Sequence, residues 1–468
     1  MKDAIKRAIF VAIGVSLQIL LGMFINIYLM EHIFVVNIFY IFISFLLILS
    51  LIKDSKNYSY TLPWIIIVLL FPIFGTLMYI VLGNNIAKSK TLKSIVEHEK
   101  TSKKYLIQDE QIAEKFENNG RLKYISNFAG FPVTTDNEVK YYPLGELAFE
   151  AMKESLREAK KFIFFEYFIV CPGKMWGEIF DILKQKAHEG LDVRVMYDDM
   201  GCISTLKSDY PKRLASYGIK CISFNRLNPI SGLIMNHRDH RKILIIDGKV
   251  AFSGGINIAD EYINLVNPYG LWKDNAFKIE GNAVWNFTVM FLTMWNSSLP
   301  KDEDVDYTKF KYSFPNRKIQ NGFTVPYGET PLDKEVTGED IYLNIINQAT
   351  KYVYIFTPYL IIDTDMINSL ILAAKRGVDV RLVIPGIPDK KIVYTLSESY
   401  VTPLVKGGVK VYKYTPGFVH SKVFVADDQV ATVGTINLDY RSLYLHFECG
   451  CYFENCDVVA TIKEDLVN

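Results

Sequence analysis

The sequence has no Cys-x-x-Cys pair and almost no net charge. Its six cysteines lack the spacing of a structural zinc site or a thioredoxin-like motif, and we interpret them as free thiols in a reducing compartment. The 52 basic and 51 acidic residues leave a formal charge of +1, and no stripe of lysine and arginine crosses the soluble part. Nucleic acid is therefore not expected as a partner, which disfavours a nuclease.

Long apolar stretches are confined to the N-terminal part of the chain. Three nearly charge-free stretches, Ile9–Met30, Ile33–Ile52 and Thr61–Leu82, are each close to the ~20 residues that a spanning helix needs. The first is too long for the apolar region of a cleaved signal peptide, and two similar stretches follow it. The sequence predicts a membrane anchor over residues 1–86 with two or three transmembrane helices.

Positive charges give conflicting indications of orientation. Lys2, Lys6 and Arg7 favour a cytoplasmic N-terminus, but three crossings then leave the larger lysine cluster after the anchor on the outside. Either the first stretch does not cross, or one of the clusters lies on the unfavoured side. Because the later cluster is larger and free thiols suit a reducing compartment, we expect a multi-pass protein of the cell membrane with its soluble part on the cytoplasmic face.

The rest of the chain contains a duplicated α/β pattern. In each copy a helix precedes a buried strand, and a glycine then introduces a second strand. The first copy has these elements at Leu144–Ala159, Phe162–Ile169 and Gly190–Tyr197, and the second at Ile341–Ala349, Tyr352–Tyr359 and Gly377–Ile384. We predict an α/β fold of two similar lobes, each a mixed sheet flanked by helices.

Composition places the boundaries of these parts. A charged linker is expected at 87–125, the first lobe at 126–295, a linker rich in proline and glycine at 296–339, and the second lobe at 340–468. The first lobe carries an insertion at Arg226–Asp239, which is either a surface loop or a loop that dips toward lipid.

Each lobe contains one copy of the pattern His-x-Lys-x-x-x-x-Asp. The copies are His240, Lys242 and Asp247 in the first lobe, and His420, Lys422 and Asp427 in the second. A histidine and a lysine two positions apart on a strand face the same side, so both reach one phosphate. Each histidine is followed 17 positions later by an asparagine. Agreement over so long a pattern in matching lobes indicates one site built from two halves.

The residue types in this site suit cleavage of a phosphodiester. Such a reaction needs a nucleophile, an acid for the departing alkoxide, and positive charge for the phosphoryl oxygens. Histidine, with an ordinary pKa of ~6.5, serves as nucleophile or acid. The groups expected to hold phosphate oxygens are Lys242, Lys422, Asn257 and Asn437. The two motif aspartates complete the catalytic set and are expected to order it rather than meet substrate.

The paired motifs, the N-terminal apolar stretches and the segment Asn236–Ile243 resemble those of the phospholipase D superfamily, and within it the bacterial cardiolipin synthases. The segments Phe164–Tyr167, Gly270–Asp274 and Gly434–Ser442 are similar to the same family. The resemblance covers nearly the whole chain. It implies two α/β lobes that share one active site without a metal or other cofactor. The sequence departs from the family's pattern at its C-terminus, where relatives usually continue through another basic, leucine-rich helix, so we expect either a fragment or a short variant.

The resemblance also implies roles for individual residues. His240 would form a phosphatidyl-histidine and His420 would protonate the leaving glycerol, although the near symmetry of the site leaves the reverse assignment open. A carboxylate from each half would support a histidine, with Glu448 the candidate in the second half and Glu166 in the first. The implied reaction joins two phosphatidylglycerol molecules of the lipid bilayer into cardiolipin and releases glycerol.

Other functions use the same residues. Another phosphatidyltransferase or a hydrolytic phospholipase D differs only in its acceptor, and a lipid-binding scaffold would be expected to have lost one half-site. His237 lies three positions before His240 but has no cysteine or glutamate beside it at ligand spacing, so we assign no metal site. The Asp198-Asp199 pair is typical of a turn or a helix start, and we leave it out of the site.

Overall fold

The computed structural model describes residues 33–53, 58–80, 90–226, 236–315 and 322–467, together with the single positions 16, 20 and 23. Apart from these three positions, the first predicted membrane span lies outside the described residues, as does most of the predicted insertion. Helices α1 to α3 cover Ile33–Lys53, Tyr58–Leu70 and Pro72–Met78. The third predicted span is therefore divided after Leu70, where Pro72 begins a new helix because proline cannot donate the backbone hydrogen bond that continues the old one.

Within the described ranges, no helix combines the length and the apolar character that crossing a membrane requires. The predicted spans and their orientation stay predictions.

The region predicted as a charged linker is helical. It contains α4 to α6, at Lys90–Ser102, Glu110–Lys115 and Gly120–Asn127. Leu122 and Ile125 of α6 are buried in the core of the second lobe, and Ile112 and Ala113 of α5 are half-buried against it. This part of the chain is therefore packed onto the second lobe rather than extended as a linker.

The first lobe is built on a seven-stranded mixed sheet. The strands of this lobe, β1 to β8, lie at Glu138–Tyr142, Phe162–Tyr167, Asp192–Asp198, Lys220–Phe224, Lys242–Ile246, Val250–Gly254, Leu271–Lys273 and Ala276–Glu280. All of them except β7 belong to the sheet. Helices α7 to α10 lie at Gly145–Arg157, Lys174–His188, Tyr210–Ala215 and Val284–Ser297. The sheet order is β1-β8-β6-β5-β2-β3-β4, with β2, β3 and β4 parallel and the other neighbours antiparallel. The central strands β2 and β5 are buried along their whole length, which explains their unbroken apolar sequences.

The second lobe repeats this plan. Its strands β9 to β18 lie at Phe323–Glu329, Tyr352–Phe356, Leu360–Ile361, Asp379–Pro385, Lys410–Tyr414, Gly417–Val419, Val423–Ala426, Val430–Gly434, Leu438–Asp439 and Glu448–Glu454. Helices α11 to α15 lie at Thr337–Gln348, Thr364–Lys375, Lys391–Lys406, Tyr440–Tyr444 and Val458–Val467. The sheet order β13-β12-β10-β15-β16-β18-β9 matches that of the first sheet strand for strand. The predicted fold class, two duplicated mixed sheets flanked by helices, is confirmed.

Strand β9 lies inside the segment 296–339 that the sequence predicts to be a linker. It is an edge strand of the second sheet and pairs antiparallel with β18. An edge strand tolerates proline because one side of it needs no hydrogen-bond donor, and β9 contains Pro326. Short 3-10 helices at Lys103–Tyr105, Asp260–Ile263, Lys301–Glu303 and Tyr307–Phe310 complete the described secondary structure.

The two lobes are joined by main-chain pairing between segments that carry the motif histidines. Strand β14, just before His420, pairs in parallel with β7 of the first lobe. In the same way Asp239, just before His240, forms a parallel bridge with Phe447 of the second lobe. Each histidine therefore precedes the motif strand of its own lobe and lies against the other lobe.

Candidate active site

His240 is held by the second lobe through both its backbone and its ring. Its amide donates to the carbonyl oxygen of Phe447 at 2.9 Å. Its Nδ1 lies 2.8 Å from Oε2 of Glu448, which is fully buried. The ring packs edge-on against Phe168 with 4.8 Å between centroids. With Nδ1 engaged by the carboxyl group, Nε2 is the nitrogen left to react.

His420 is held by the first lobe in the same manner. Its amide donates to the carbonyl oxygen of Lys273 at 2.7 Å, and its Nδ1 lies 2.7 Å from Oδ2 of the buried Asp274. The rings of Tyr262 and Trp272 pack around it, with centroids at 5.4 and 5.6 Å. The two lobes therefore exchange carboxylates, since each supplies the group that orients the histidine of the other.

The two motif lysines lie beneath their histidines and are fully buried. Lys242 Nζ donates to the carbonyl oxygen of His240 at 2.6 Å, and Lys422 Nζ donates to that of His420. Burial lowers the pKa of Lys242 to about 8 and that of Lys422 to about 7. An anionic phosphate between them would favour the charged form of both lysines.

Charge is distributed unequally over the two histidine pairs. Burial, with the nearby Lys242, holds the pKa of His240 well below its usual range, and burial raises the pKa of Glu448 to about 8. This pair therefore favours uncharged partners. Burial raises the pKa of Asp274 too, but His420 and Lys422 outweigh it and the net pKa is lowered, so this carboxylate is ionised. Burial and Lys422 lower the pKa of His420 to about 4, and Asp274 opposes them.

The two asparagines have different surroundings. Asn257 donates from Nδ2 to the Tyr262 hydroxyl at 2.7 Å and accepts from the amide of Ile169 at 3.2 Å. Asn437 is buried, and its side-chain oxygen has no hydrogen-bond partner among the residues that the structure describes. The side-chain nitrogen of Asn257 is occupied by the tyrosine that packs on His420, whereas no described residue accepts a hydrogen bond from the side-chain nitrogen of Asn437.

The motif aspartates lie at the far ends of the motif strands. Asp247 follows β5 and accepts from the amides of Lys160, Lys161 and Phe162. Asp427 follows β15 and accepts from the amides of residues 350–352. Both adopt a left-handed backbone, with φ of 56° and 57°. Asp247 and Asp427 are therefore positioning residues, because these contacts fix the turns at the ends of the motif strands.

Glu166 does not occupy the supporting position that the sequence suggests for it. It is fully buried on β2, and no described hydrogen bond joins it to either histidine. Burial and the neighbouring Asp239 raise its pKa well above the usual range, while Arg241 acts in the opposite direction. Asp274 holds the supporting position instead. The sequence feature that could have identified Asp274 is its place at the end of the family-like segment Gly270–Asp274. Asp274 occupies the position in the first lobe that Glu448 occupies in the second.

A third histidine, His446, lies beside the site and was not found from the sequence. Its ring centroid is 5.7 Å from that of His240 and it is buried, with no hydrogen-bond partner for either ring nitrogen within the described part of the chain. His240, His446 and Glu448 form the one group among the described residues in which three potential metal ligands come within 4.8 Å of one another. His237 lies outside that group, and its amide donates to the carbonyl oxygen of Leu445 at 2.8 Å.

The aspartate pair set aside from the sequence has a structural role. Asp198 is fully buried at the end of β3 and accepts from the amides of Met200, Gly201 and Asp239. It also lies 3.3 Å from a guanidinium nitrogen of Arg238. These contacts fix the segment that leads into His240.

Comparison with known proteins gives a consistent result. A family model described as "Cardiolipin synthase, PLD-like domain" matches residues 152–295 and 342–467, and one described as "Phospholipase_D-nuclease N-terminal" matches residues 41–84. An uncharacterised protein of Streptococcus mutans is 46% identical over 90% of this chain and 91% of its own. Proteins named cardiolipin synthase from Halalkalibacterium halodurans and Staphylococcus aureus are each 33% identical, over 88% and 86% of this chain and 83% and 84% of theirs.

A solved structure supports the fold. The crystal structure of phosphatidylserine synthase from Haemophilus influenzae superposes with a TM-score of 0.57, over 74% of this chain and 89% of that one, at 16% identity. Together with two complete half-sites, the family match over both lobes leads to one conclusion: the chain belongs to the cardiolipin synthase family of the phospholipase D superfamily.

Proposed function

We propose that this protein is a cardiolipin synthase, which transfers a phosphatidyl group from one phosphatidylglycerol to a second and releases glycerol. The observation that carries the proposal is the convergence of two buried histidines, each oriented by a carboxyl group of the opposite lobe, with two buried lysines. This set supplies a nucleophile, an acid and positive charge for one phosphate.

In the first step, Nε2 of His240 attacks phosphorus, and the bond from phosphorus to the glycerol oxygen breaks as the phosphorus–nitrogen bond forms. His420 donates a proton to the departing glycerol. Asp274 supports this assignment, because its negative charge opposes the lowering of the pKa of His420 by burial and Lys422, whereas the neighbours that act most strongly on His240 lower its pKa further. His240 is therefore the better neutral nucleophile and His420 the better acid.

In the second step, the now neutral His420 removes a proton from the free hydroxyl of a second phosphatidylglycerol. That oxygen attacks phosphorus, the phosphorus–nitrogen bond breaks, and cardiolipin forms while His240 returns to its neutral state. If water takes the place of the second lipid, the product is phosphatidate. The acceptor thus distinguishes a synthase from a hydrolase that uses the same four side chains.

The phosphoryl oxygens are stabilised by three groups. Lys242 and Lys422 supply point charges from below, and the side-chain nitrogen of Asn437 supplies a neutral donor. Because the lysines are buried, their attraction for developing negative charge is weakly screened by water. The proposed chemistry is complete without a metal.

Both substrates are lipids of a bilayer, so we propose that the protein is a multi-pass protein of the cell membrane. The N-terminal family match over residues 41–84 and the apolar composition of that region support an anchor. We further propose that the lobes lie on the cytoplasmic face, where lysines close to the anchor meet anionic headgroups.

The test is lipid product analysis with the purified full chain in phosphatidylglycerol vesicles, comparing wild type with His240→Ala and His420→Ala. Cardiolipin and glycerol in equal amounts, lost in both variants, are the expected result. Phosphatidate without cardiolipin would establish a hydrolase, and folded wild-type protein without lipid turnover would overturn both readings. Mass spectrometry of acid-labile phosphopeptides identifies the histidine that carries the phosphatidyl group, and a label on residue 420 would reverse the two roles.

A further inference from the structure

The surface beside His420 carries a group of exposed aliphatic side chains. Ile392, at the start of α13, is 88% exposed, and Leu396 lies one turn further along the same face of that helix. We call the whole group the apolar rim; its members are Leu265, Val266, Leu271, Ile387, Ile392 and Leu396, and each is at least 41% exposed.

The apolar rim is tied directly to the strands that hold the active site. Leu271 begins β7, which ends immediately before Asp274. The amide of Ile387 donates to the carbonyl oxygen of Gly417 in β14, three positions before His420. Asn264 accepts from the amide of Trp272 at 2.7 Å and so fixes the loop that carries the next two rim residues.

Close packing beneath the rim keeps these side chains at the surface. Gly270 has a left-handed backbone with φ of 72°, and a Cβ placed there would lie 2.5 Å from the carbonyl oxygen of Pro416 and 3.1 Å from Cδ1 of Ile387. The two loops therefore touch at backbone distance beside Leu271 and Ile387. Solvent-exposed aliphatic groups held together in this way mark an interaction surface.

Two features indicate the kind of partner. Lys390 and Lys391 are exposed between Ile387 and Ile392; Lys390 lies 3.5 Å from the Asp389 carboxylate, so the segment adds one net positive charge beside the aliphatic groups. Aliphatic side chains flanked by lysines are typical of surfaces that enter the boundary between headgroups and acyl chains of an anionic bilayer. The rim also borders the ring cluster around His420, since Leu271 directly precedes Trp272, whose ring centroid lies 5.6 Å from that of His420.

We propose that the apolar rim is the surface through which the catalytic lobes dock onto an anionic bilayer, so that a phosphatidylglycerol passes from the membrane into the site on the His420 side. The proposal rests on the proposed function, because it assigns the route by which the lipid substrate arrives. Docking requires the aliphatic side chains and is strengthened by the two lysines.

The test compares two substrates with the full-length protein. Ile392→Asp and Leu265→Asp place charge in the rim, and Val405→Asp is the matched control, since Val405 is 52% exposed at the other end of α13, roughly 20 Å away at 1.5 Å per residue. Turnover is measured on phosphatidylglycerol vesicles and on a short-chain phosphatidylglycerol below its critical micelle concentration.

We expect the rim variants to lose about tenfold of their turnover on vesicles, on the scale of one buried aliphatic side chain, and to keep it on the monomeric substrate. The control should keep both activities. Equal loss on both substrates, or loss in the control alone, would overturn the docking role. If wild type converts neither substrate, the proposed function fails instead.

A second measurement detects docking onto the bilayer independently of catalysis. The full chain with Ile392→Trp is placed in vesicles that contain brominated lipid, and its fluorescence is compared with that of wild type and of Val405→Trp. Quenching of the added tryptophan at position 392 but not at 405 supports docking, and the absence of added quenching at 392 refutes it. Sedimentation of wild type and Ile392→Asp in detergent tests a second copy as the occupant, and a smaller assembly of the variant would overturn the lipid assignment.

Discussion

Replacing Asp274 by asparagine separates the two halves of the proposed reaction. The amide side chain would keep an oxygen within hydrogen-bonding distance of His420 Nδ1, now at 2.7 Å from the carboxylate, but would remove the negative charge. Because His420 must carry a positive charge after it takes up a proton, the variant destabilises the acid while leaving the nucleophile intact. A hydrogen bond to a charged group contributes about 1.5–3 kcal/mol, so cardiolipin formation should fall roughly 10- to 150-fold.

The assay uses two substrates that differ in their need for an acid. Glycerol is a poor leaving group and needs a proton, whereas 4-nitrophenolate leaves without one. With a phosphatidyl ester of 4-nitrophenol, the Asp274→Asn variant should release its first equivalent of nitrophenolate in a burst at nearly the wild-type rate. Turnover after the burst should remain slow, because the same histidine must deprotonate the second lipid.

Glu448→Gln is the matched comparison, because Glu448 makes the equivalent contact with His240 at 2.8 Å. Glutamine changes the group that selects the ring tautomer of the nucleophile, so this variant should slow the nitrophenolate burst itself. If Asp274→Asn abolishes the burst and Glu448→Gln retains it, His420 is the nucleophile and our assignment of the two histidines is wrong.

Three further predictions follow from the charges and contacts of the site. Because the pKa values of Lys242 and Lys422 are lowered to about 8 and about 7, the free enzyme loses positive charge as pH rises through this range, and kcat/KM should decline there. In Lys422→Arg the side chain stays charged, so the decline in the pH–rate profile should move to higher pH. An unchanged profile would contradict the role of Lys422. Turnover should be insensitive to EDTA dialysis, and recovery of a lost activity by an added metal ion would refute the proposed chemistry. Asp427→Asn should lower the free energy of unfolding by about 1–3 kcal/mol in denaturant melts, because it weakens the hydrogen bonds that Asp427 accepts from three backbone amides. Turnover of short-chain phosphatidylglycerol per folded molecule should stay near wild type.

Much of the site is predictable from sequence because its determinants are local. A histidine and a lysine two positions apart on a strand face one side whatever the rest of the fold does. The repeat of this spacing, with an asparagine at a constant distance, predicted the two histidines and two lysines of the proposed site together with Asn257 and Asn437. The unequal use of Asn257 and Asn437 was not predictable, since it depends on the Tyr262 hydroxyl, which packs next to only one of the histidines.

The carboxylate partners are harder to predict because they come from the opposite lobe. The family resemblance suggested Glu448 and Glu166, and it is Asp274 rather than Glu166 that contacts a histidine. The pairing of β7 with β14, which brings Asp274 to His420, joins residues nearly 150 positions apart in strands of only three residues. Strands that short leave no periodic signal. Strand β9 was missed for a related reason, since proline within a short edge strand resembles a linker.

The contact of each histidine with a carboxyl group of the opposite lobe explains how a duplicated chain performs an asymmetric reaction. Two identical half-sites would give two histidines of equal pKa, and neither would be favoured as nucleophile or as acid. Here the partners differ: Asp274 is ionised beside His420, while burial raises the pKa of Glu448 beside His240 to about 8. Because each carboxyl group belongs to the lobe opposite its histidine, the difference exists only when the lobes are joined. Neither lobe alone contains an oriented histidine, so the acid and the nucleophile are both products of the interface.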